Sequence, residues 1–232
     1  MEGKAYDPLG DGISNVEILE VMGNDLTVVN AARVSFAKES KVMTPGDEKL
    51  IAFLAKYNHI TPFFHPQIRM RIKMPIFVAR EWFRHTIGFA RNEVSRRYVD
   101  FKAECFVPAE LRERDPKLKQ GSKESAVDDG GAAAEALKKS TEDSIAAYED
   151  LLTRGVAPEI SRMVLPQSMY TEFIETGSLA AYARLCGLRL DPGAQREIQA
   201  YAHAIDEALQ SQFPVSWTAL RKSWVDESSS SS

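Results

Sequence analysis

Residues 75–98 have the sequence PIFVAREWFRHTIGFARNEVSRRY, and they decide how this part of the chain folds and what it can bind. The stretch from Pro75 to Phe83 is apolar on most faces and begins with proline, which favours the first turn of a helix. The stretch from Arg84 to Tyr98 contains four arginines, one histidine, one acid and one serine. Arginine binds phosphate and carboxylate groups through paired, charge-assisted hydrogen bonds. The pattern therefore predicts a buried helix that leads into an anion-binding loop.

The composition of the whole chain limits the kind of anion. Of its 232 residues, 44% are hydrophobic and 27% are charged, as in an ordinary globular protein, and the net charge is -4. A nucleic-acid-binding protein has a broader basic surface than this acidic chain provides. An arginine-rich module that binds phosphate or nucleic acid without catalysis is the alternative to an enzyme. We expect no nucleic-acid partner.

The cysteines and the N-terminal residues indicate the compartment. Cys105 and Cys186 are too few for a disulfide framework, which fits a reducing compartment. Residues 1–8 contain no apolar stretch of the signal-peptide type, and no run approaches the roughly 18 apolar residues of a membrane span. We expect a cytoplasmic protein without a membrane partner.

Hydrophobic periodicity places strands early in the chain and long helices in its C-terminal half. The predicted strands cover residues 16–22 and 67–73. The predicted helices cover residues 25–34, 47–57, 132–154, 159–164, 179–186 and 192–210. Asp25 and Ser178 are the expected N-caps of two of these helices.

No linker divides the chain, and we expect one domain over residues 1–226. Residues 109–131 are polar, charged and glycine-containing, which predicts a mobile surface excursion within that domain. Residues 227–232 consist of one acid and five serines, which cannot bury a core, so we expect a disordered tail.

The sequence lacks the motifs of a phosphate-binding loop, a metal site and a nucleophilic enzyme. There is no glycine-rich phosphate loop, and only His59 and His65 are closely spaced histidines, so we expect no metal site. Neither cysteine lies in an electropositive setting that would make its thiol reactive. Ser95 stands among arginines, where its hydroxyl suits a phosphate oxygen better than a nucleophilic role.

Two further arginines lie in apolar segments. Arg162 lies in the predicted helix over residues 159–164, and Arg189 lies in a short joint before Asp191. Each arginine is either a surface residue or a partner in an ion pair, and Asp191 is a candidate partner of Arg189. Alternatively, both arginines bind an anion that the arginine-rich loop also binds. The shared anion is the more economical interpretation.

Several segments resemble the flavin-dependent thymidylate synthase family. The stretch from Arg84-His85 to Ser95-Arg96-Arg97-Tyr98 resembles the family signature, commonly Arg-His-Arg, seven residues and then Ser. Other segments of the chain resemble further family segments in the same order, and they are residues 21–26 with 31–36, 59–63, 75–83, 162–166 and 188–189. The resemblance covers about residues 14–220 and is weakest in the polar excursion.

The resemblance implies a fold, an assembly and a reaction. The expected fold is α+β, an antiparallel sheet flanked by helices, and the expected assembly is a homotetramer with active sites at subunit interfaces. The expected reaction is reductive methylation of dUMP to dTMP. Methylenetetrahydrofolate is the carbon donor, and FAD reduced by NADPH carries the hydride. A thymidylate synthase of the cysteine-nucleophile kind would need a reactive cysteine beside a histidine, which neither cysteine offers.

The resemblance also implies the site residues. Arg189 is the expected catalytic residue, because its guanidinium would lie beside the uracil ring and stabilise the charge that develops there. The residues expected to bind dUMP are Glu81, Arg84, Glu93, Ser95, Arg96, Arg97, Arg162 and Arg189. The residues expected to bind FAD are Thr61, Arg84, His85, Thr86, Glu93, Ser178, Leu179, Ala180 and Arg184. Further candidates for the flavin and folate side are Ser35, His59 and Arg91.

The signature itself departs from the family pattern. Thr86 replaces the third arginine, and one extra residue lengthens the loop before Ser95. We hypothesise that Arg91, which comes with the longer loop, restores the missing positive charge near FAD, and that Gly88 makes the tight turn that this requires. The alternative is that Arg91 is a solvated loop residue.

Overall fold

The structure of the chain is a computed structural model that describes residues 4–99, 101–117 and 121–229, with side chains described through Ser223. The strands are β1 (Ala5–Tyr6), β2 (Asn15–Met22), β3 (Gln67–Pro75), β4 (Phe89–Glu93), β5 (Arg112–Arg114), β6 (Ser122–Ala126) and β7 (Tyr170–Ser178). The α-helices are α1 (Asp25–Arg33), α2 (Pro45–Lys56), α3 (Ile76–Trp82), α4 (Gly130–Thr153), α5 (Pro158–Ser161), α6 (Leu179–Arg189), α7 (Arg196–Gln212) and α8 (Pro214–Ser229). Short 3-10 turns cover Val34–Phe36, Thr61–Phe64 and Arg162–Val164.

Within the described residues, five strands form a sheet in the order β1-β2-β3-β7-β4, and β5 and β6 form a separate two-stranded hairpin. β1 pairs antiparallel with β2, so that Ala5 lies opposite Glu17 and Tyr6 opposite Val16. The expected fold class, an antiparallel sheet flanked by helices with long helices in the C-terminal half, is confirmed. No helix in the described part of the chain is long and apolar enough to cross a membrane.

The described chain forms two compact units, and each is built from separate segments. The first unit comprises Met1–Ile72, Phe83–Asn92 and Ile174–Ser232, and the second comprises Lys73–Trp82 and Glu93–Phe173. That the chain unfolds as the single domain expected over residues 1–226 stays a prediction.

Helix α7 supplies much of the core of the first unit. Its predicted apolar stripe is fully buried, and the stripe consists of Ile198, Ala202, Ile205 and Leu209. This spacing brings the four side chains onto one face of the helix. Trp217 of α8 is also fully buried, and its indole Nε1 donates a hydrogen bond to Asp206 of α7 at 2.8 Å. The two C-terminal helices are thereby joined by a polar contact as well as by apolar packing.

Strand β3 has the alternation that its sequence predicts. Its apolar residues are fully buried, and they are Ile68, Met70 and Ile72. On its opposite face, Arg69 forms an ion pair with Glu20 at 2.8 Å, and Arg71 forms one with Glu17 at 3.4 Å. Side chains on a strand point alternately to its two faces. One face of β3 is therefore apolar, and arginine side chains on the other face form ion pairs with acids of β2.

In the second unit, helix α3 is buried and helix α4 is mostly exposed. Val78, Ala79 and Trp82 of α3 are buried, as expected for the apolar stretch after Pro75. Among the 24 residues of α4 in the described chain, Thr141 and Tyr148 are the buried ones.

A hairpin of β5 and β6, which was not predicted, lies within the surface excursion expected over residues 109–131. Glu113 of β5 accepts hydrogen bonds from Lys123 at 2.7 Å and from Ser125 at 3.0 Å, both on β6. Such polar cross-strand pairs stabilise a hairpin without any apolar alternation, so the sequence pattern does not reveal it. Residues 118–120 lie outside the described residues.

The start of α1 corrects the predicted cap. Asn24 is the N-cap, because its side chain accepts a hydrogen bond from the Thr27 amide at 3.3 Å while Asp25 is already helical. Asp25 is 7% exposed, and its carboxylate accepts from the amides of Val215 at 3.1 Å and Ser216 at 2.8 Å. Asp25 therefore caps the first turn of α8, which lacks acceptors of its own there.

The C-terminal helices differ from their predicted bounds. α7 begins at Arg196 rather than at Pro192, because Asp191 forms a turn in which its Oδ1 accepts from the Gly193 amide at 2.7 Å. Helix α8 was not predicted, and it includes residues 227–229, which were expected to begin the disordered tail. Residues 230–232 of that tail lie outside the described residues.

Replacing Asp25 by alanine should lower the free energy of unfolding by about 1–2 kcal/mol, because two amides at the start of α8 lose their acceptor. Chemical denaturation followed by circular dichroism measures the change. The matched control is Asp150→Ala, which removes an exposed carboxylate paired with Arg154 and should change stability by less than about 0.5 kcal/mol. An Asp25→Ala variant as stable as the wild type would contradict the capping role.

Candidate active site

The loop between α3 and β4 is held against the start of α6. Gly88 has a φ of +80°, which confirms that it makes the turn expected of it. A Cβ atom on Gly88 would lie 2.9 Å from Cβ of Ala181 and 3.1 Å from Oγ of Ser178. The Gly88 carbonyl accepts a hydrogen bond from the Ser178 amide at 3.2 Å. Glycine is therefore required here for its backbone conformation and for the close contact.

Ser178 is the N-cap of α6, as predicted. Its Oγ accepts a hydrogen bond from the Ala181 amide at 3.1 Å. Ser178, Leu179 and Ala180 are 1%, 0% and 5% exposed, so little of their side chains is accessible in the described chain. Arg184, further along the same helix, is exposed. That these four residues contact FAD stays a prediction.

His85 and Arg189 form the central hydrogen bond of the candidate site. Arg189 Nε donates to His85 Nε2 at 3.0 Å. Burial of the half-buried imidazole and the positive charges of Arg189, Arg91 and Arg184 lower the pKa of His85 from 6.5 to about 4. A protonated Nε2 could not accept this hydrogen bond, so the bond and the lowered pKa both indicate a neutral imidazole.

Arg91 lies in strand β4 rather than in a loop. Its side chain is 14% exposed and forms an ion pair with the fully buried carboxylate of Glu175 on β7. Arg91 Nη1 also donates to the carbonyl oxygen of His85 at 2.5 Å. The interpretation of Arg91 as a solvated loop residue is therefore wrong, and its part in the flavin site stays a prediction.

Two other arginines of the first unit present positive charge to the solvent. Arg84 and Arg184 are exposed, and no carboxylate among the described residues forms an ion pair with either guanidinium. Arg184 is also close enough to His85 to lower the pKa of the imidazole. Guanidinium groups that surround a neutral imidazole suit an anionic ligand with phosphate groups.

Most residues expected around the nucleotide belong to the second unit. Glu93 accepts a hydrogen bond from the hydroxyl of Thr171 at 2.6 Å. Ser95 Oγ accepts from the Arg97 amide at 3.3 Å, and the Arg97 guanidinium forms a partly exposed ion pair with Glu159 at 3.5 Å. Contact of Glu93, Ser95 and Arg97 with dUMP stays a prediction.

Arg96, Arg162 and Glu81 differ in their exposure. Arg96 is 6% exposed, donates to the carbonyl of Phe101 and lies 4.3 Å above the ring of the same residue. Arg162 is exposed, and no described carboxylate forms an ion pair with it, while Glu81 is half-buried. Contact of these three residues with dUMP stays a prediction.

The remaining candidates lie on the surface of the first unit. Thr61 begins a 3-10 turn, Ser35 lies within another, and His59 precedes Thr61 by two residues. All three are exposed, as is Thr86 in the signature loop. Their contact with FAD or folate stays a prediction.

Glu175 is central to this geometry and was not predicted from the sequence. In β7 the buried positions include Thr171, Phe173, Glu175 and Gly177. An acid on the buried face of a strand is rare unless it is paired, and that signal could have identified it. Its partner could not be found in the same way, because Arg91 is 84 residues away in the chain.

Neither cysteine is activated. Cys186 is fully buried, which raises its pKa well above the ordinary value, and its thiol lies 3.7 Å from the Ala202 carbonyl. Partial burial also raises the pKa of Cys105, against the opposing effects of a hydrogen bond with Ser168 and the charge of Arg96. In the described part of the chain, no three His, Cys, Asp or Glu side chains come together in a group that could hold a metal ion.

Comparison with known proteins identifies the family. The family model described as thymidylate synthase complementing protein matches residues 17–215. A flavin-dependent thymidylate synthase of Thermus thermophilus is 38% identical over 222 residues, which cover 96% of this chain and 80% of the relative. A flavin-dependent thymidylate synthase of Thermosipho africanus is 40% identical over 211 residues, which cover 89% of this chain and 90% of the relative.

A solved structure has the same fold. The UMP/dUMP methylase PolB from Streptomyces cacaoi, bound with 5-Br dUMP, superposes with a TM-score of 0.80 at 31% identity, covering 89% of this chain and 94% of that chain. The fold and the relatives define an enzyme rather than an arginine-rich binding module. The chain belongs to the thymidylate synthase complementing protein family, in which the relatives named above are flavin-dependent thymidylate synthases.

The imidazole of His85 should stay neutral down to about pH 4. In the unfolded chain the same group titrates near its ordinary pKa of about 6.5, so the unfolded state takes up a proton first as the pH falls. His85 should therefore reduce stability progressively from about pH 6.5 to about pH 4, and should have no such effect at higher pH. An NMR titration of 15N-labelled histidine measures the pKa.

The Arg189→Met variant is the comparison for this titration. It removes one of the positive neighbours, so the pKa of His85 should rise toward its ordinary value. A pKa near 6.5 in the folded wild type would contradict the neutral acceptor.

Proposed function

We propose that this protein methylates dUMP to dTMP, with methylenetetrahydrofolate as carbon donor and FAD, reduced by NADPH, as hydride carrier. The observation that carries the proposal is the hydrogen bond between Arg189 and a neutral His85 in an arginine-rich part of the first unit. Family membership supports the flavin. The solved relative, which is called a UMP/dUMP methylase and binds 5-Br dUMP, supports the pyrimidine nucleotide.

The residues around His85 suit FAD. This cofactor carries two phosphate groups, and Arg84 and Arg184 offer exposed guanidiniums that no described carboxylate neutralises. Bound FAD would supply hydride transfer, which amino-acid side chains do not provide. The other residues that we propose to bind FAD are Thr61, His85, Thr86, Glu93, Ser178, Leu179 and Ala180.

For dUMP we propose the residues of the signature together with Arg162. Arg162 is exposed and has no acidic partner among the described residues, so its charge is available to a phosphate. Arg97 is held by Glu159 in an exposed pair at 3.5 Å, and such a pair is worth only about 0–1 kcal/mol. A phosphate can replace Glu159 at little cost. The other proposed dUMP-binding residues are Glu81, Arg84, Glu93, Ser95, Arg96 and Arg189.

Arg189 is the proposed catalytic residue. Negative charge develops on the pyrimidine ring when its carbon 6 accepts a hydride, and a fixed cation beside the ring stabilises that charge. Arg189 Nε donates a hydrogen bond to His85 Nε2 at 3.0 Å, and this bond limits rotation of the guanidinium. The charge is then oriented before the reaction begins, which is the condition for effective electrostatic stabilisation.

We also propose that the protein is a homotetramer in the cytoplasm. Large apolar side chains are exposed in the single chain, among them Val34 at 72%, Phe36 at 76% and Met163 at 75%. Apolar surface of this kind is typical of a contact between subunits. The two free cysteines fit a reducing compartment.

The wild-type protein, loaded with FAD and reduced, should convert dUMP and methylenetetrahydrofolate to dTMP, with flavin reoxidation that depends on dUMP under anaerobic conditions. Arg189→Ala should keep FAD but lower the rate of dTMP formation by about 10²–10³, because the cation beside the ring is lost. The control is Arg154→Ala, which removes an exposed arginine paired with Asp150 at 2.6 Å and should keep the wild-type rate.

Two results would count against this proposal. If the FAD-loaded wild type forms no dTMP, the proposed reaction is wrong. The same assay with UMP then tests the other nucleotide named for the solved relative. Wild-type turnover in Arg189→Ala would remove Arg189 from the catalytic role.

The double variant Cys105→Ala with Cys186→Ala should retain dTMP synthesis. Both thiols have raised pKa values because of burial, so neither provides a thiolate nucleophile. Product formation and mass spectrometry of the protein with dUMP measure the outcome. A folded, FAD-loaded double variant without activity, together with a covalent dUMP adduct in the wild type, would establish a cysteine mechanism instead.

A further inference from the structure

Arg91 and Glu175 form an ion pair for which the proposed reaction has no direct use. Both residues belong to the first unit, Arg91 on β4 and Glu175 on the neighbouring strand β7. Glu175 is fully buried, and the Arg91 side chain is 14% exposed. A buried pair of this kind is often no more stabilising than apolar residues of similar size. Its presence therefore calls for a role other than stability.

The guanidinium of Arg91 is fixed in several directions. Besides the pair with Glu175, its Nη1 donates to the His85 carbonyl at 2.5 Å. Its central carbon lies 4.6 Å from the ring centre of Phe89 and 5.5 Å from that of Phe83. Cations are attracted to aromatic faces at these distances. Arg91 is thus a rigid connection between strand β7 and the backbone of His85.

His85 in turn contacts Arg189. The imidazole Nε2 accepts from Arg189 Nε at 3.0 Å, so the backbone position of His85 determines where this acceptor lies. A continuous series of contacts therefore runs from Glu175 through Arg91 and His85 to Arg189 within the first unit.

We propose that Arg91 and Glu175 are positioning residues, which hold the backbone of His85 so that its imidazole orients the Arg189 guanidinium. The pair acts through His85 and does not touch the substrate. This inference rests on the proposed function, because it assigns a purpose to the orientation of Arg189. It also replaces a direct contact of Arg91 with the flavin, since Arg91 is already paired with the buried carboxylate of Glu175.

The decisive variant removes both charges together, Arg91→Met with Glu175→Leu. Removing one partner alone would leave a buried charge unpaired, which is strongly destabilising, whereas exchange of the whole pair for apolar residues removes both charges together. In the folded, FAD-loaded double variant we expect kcat to fall at least tenfold. The KM for dUMP and the dissociation constant of FAD should stay within twofold of the wild-type values.

A matched control uses another pair of the first unit. Asp206 and Arg221 form an ion pair at 3.3 Å, in which the Asp206 side chain is 12% exposed. Asp206→Asn with Arg221→Met removes both charges and leaves an acceptor for Trp217, so kcat should not change.

A mutant cycle with Arg189→Ala separates positioning from a general structural effect. If the pair acts through Arg189, adding Arg91→Met and Glu175→Leu to Arg189→Ala should lower kcat by less than twofold further. The proposal would be overturned if the combined variant lost kcat by the product of the two separate losses. An unchanged kcat in the Arg91→Met, Glu175→Leu variant would also overturn it. If the double variant binds FAD weakly and Arg91→Lys binds it normally, Arg91 contacts the cofactor. That result also overturns the proposal.

The 15N chemical shift of His85 Nε2 gives a readout that does not depend on turnover. The shift should change in the Arg91→Met, Glu175→Leu variant in the same direction as in Arg189→Met, because both variants disturb the hydrogen bond to this nitrogen. If the wild type makes no dTMP, the proposed function fails while this shift still tests the positioning. An unchanged shift in the double variant would overturn the positioning even if the wild type makes dTMP.

Discussion

The close contact between the signature loop and the first turn of α6 is the constraint on which the candidate site depends. Gly88 approaches Ala181 and Ser178 so closely that no larger residue fits, and its carbonyl accepts from the Ser178 amide. Gly177 has a similar role, because a Cβ atom there would lie 2.5 Å from the ring of Phe89. These two glycines let the loop and β4 lie directly against β7 and α6. The contacts of Arg91 with Glu175 and of His85 with Arg189 follow from that proximity.

The charges of the first unit are divided between its interior and its surface. Inside, Arg91 is paired with the fully buried carboxylate of Glu175. Outside, Arg84 and Arg184 remain exposed to solvent. A protonated His85 would add another positive charge to these arginines, so burial and charge both favour the neutral imidazole. The result is an acceptor for Arg189 beside cations that can meet an anionic ligand.

Patterns within single elements made much of the fold predictable. Strand β3 alternates, α7 carries one apolar stripe, and Ser178 caps α6, because each of these features depends on residues a few positions apart. Strand β4 was not predicted, since Phe89–Glu93 includes alanine, arginine, asparagine and glutamate and shows no clear alternation. The hairpin of β5 and β6 was missed for a related reason, because polar pairs hold it together.

By itself the sequence determined the family, the approximate positions of helices α1 to α7, and the strands β2 and β3. Ordered motifs and local spacing are sufficient for these, and the family match over residues 17–215 agrees with them. Only the tertiary structure decided which charged groups meet. Asp25 caps a helix 190 residues away, Arg91 pairs with Glu175 across 84 residues, and His85 accepts from Arg189 across 104. Hydrogen bonds and ion pairs act over a few ångströms, and the packing of the intervening elements sets the separation of such distant residues.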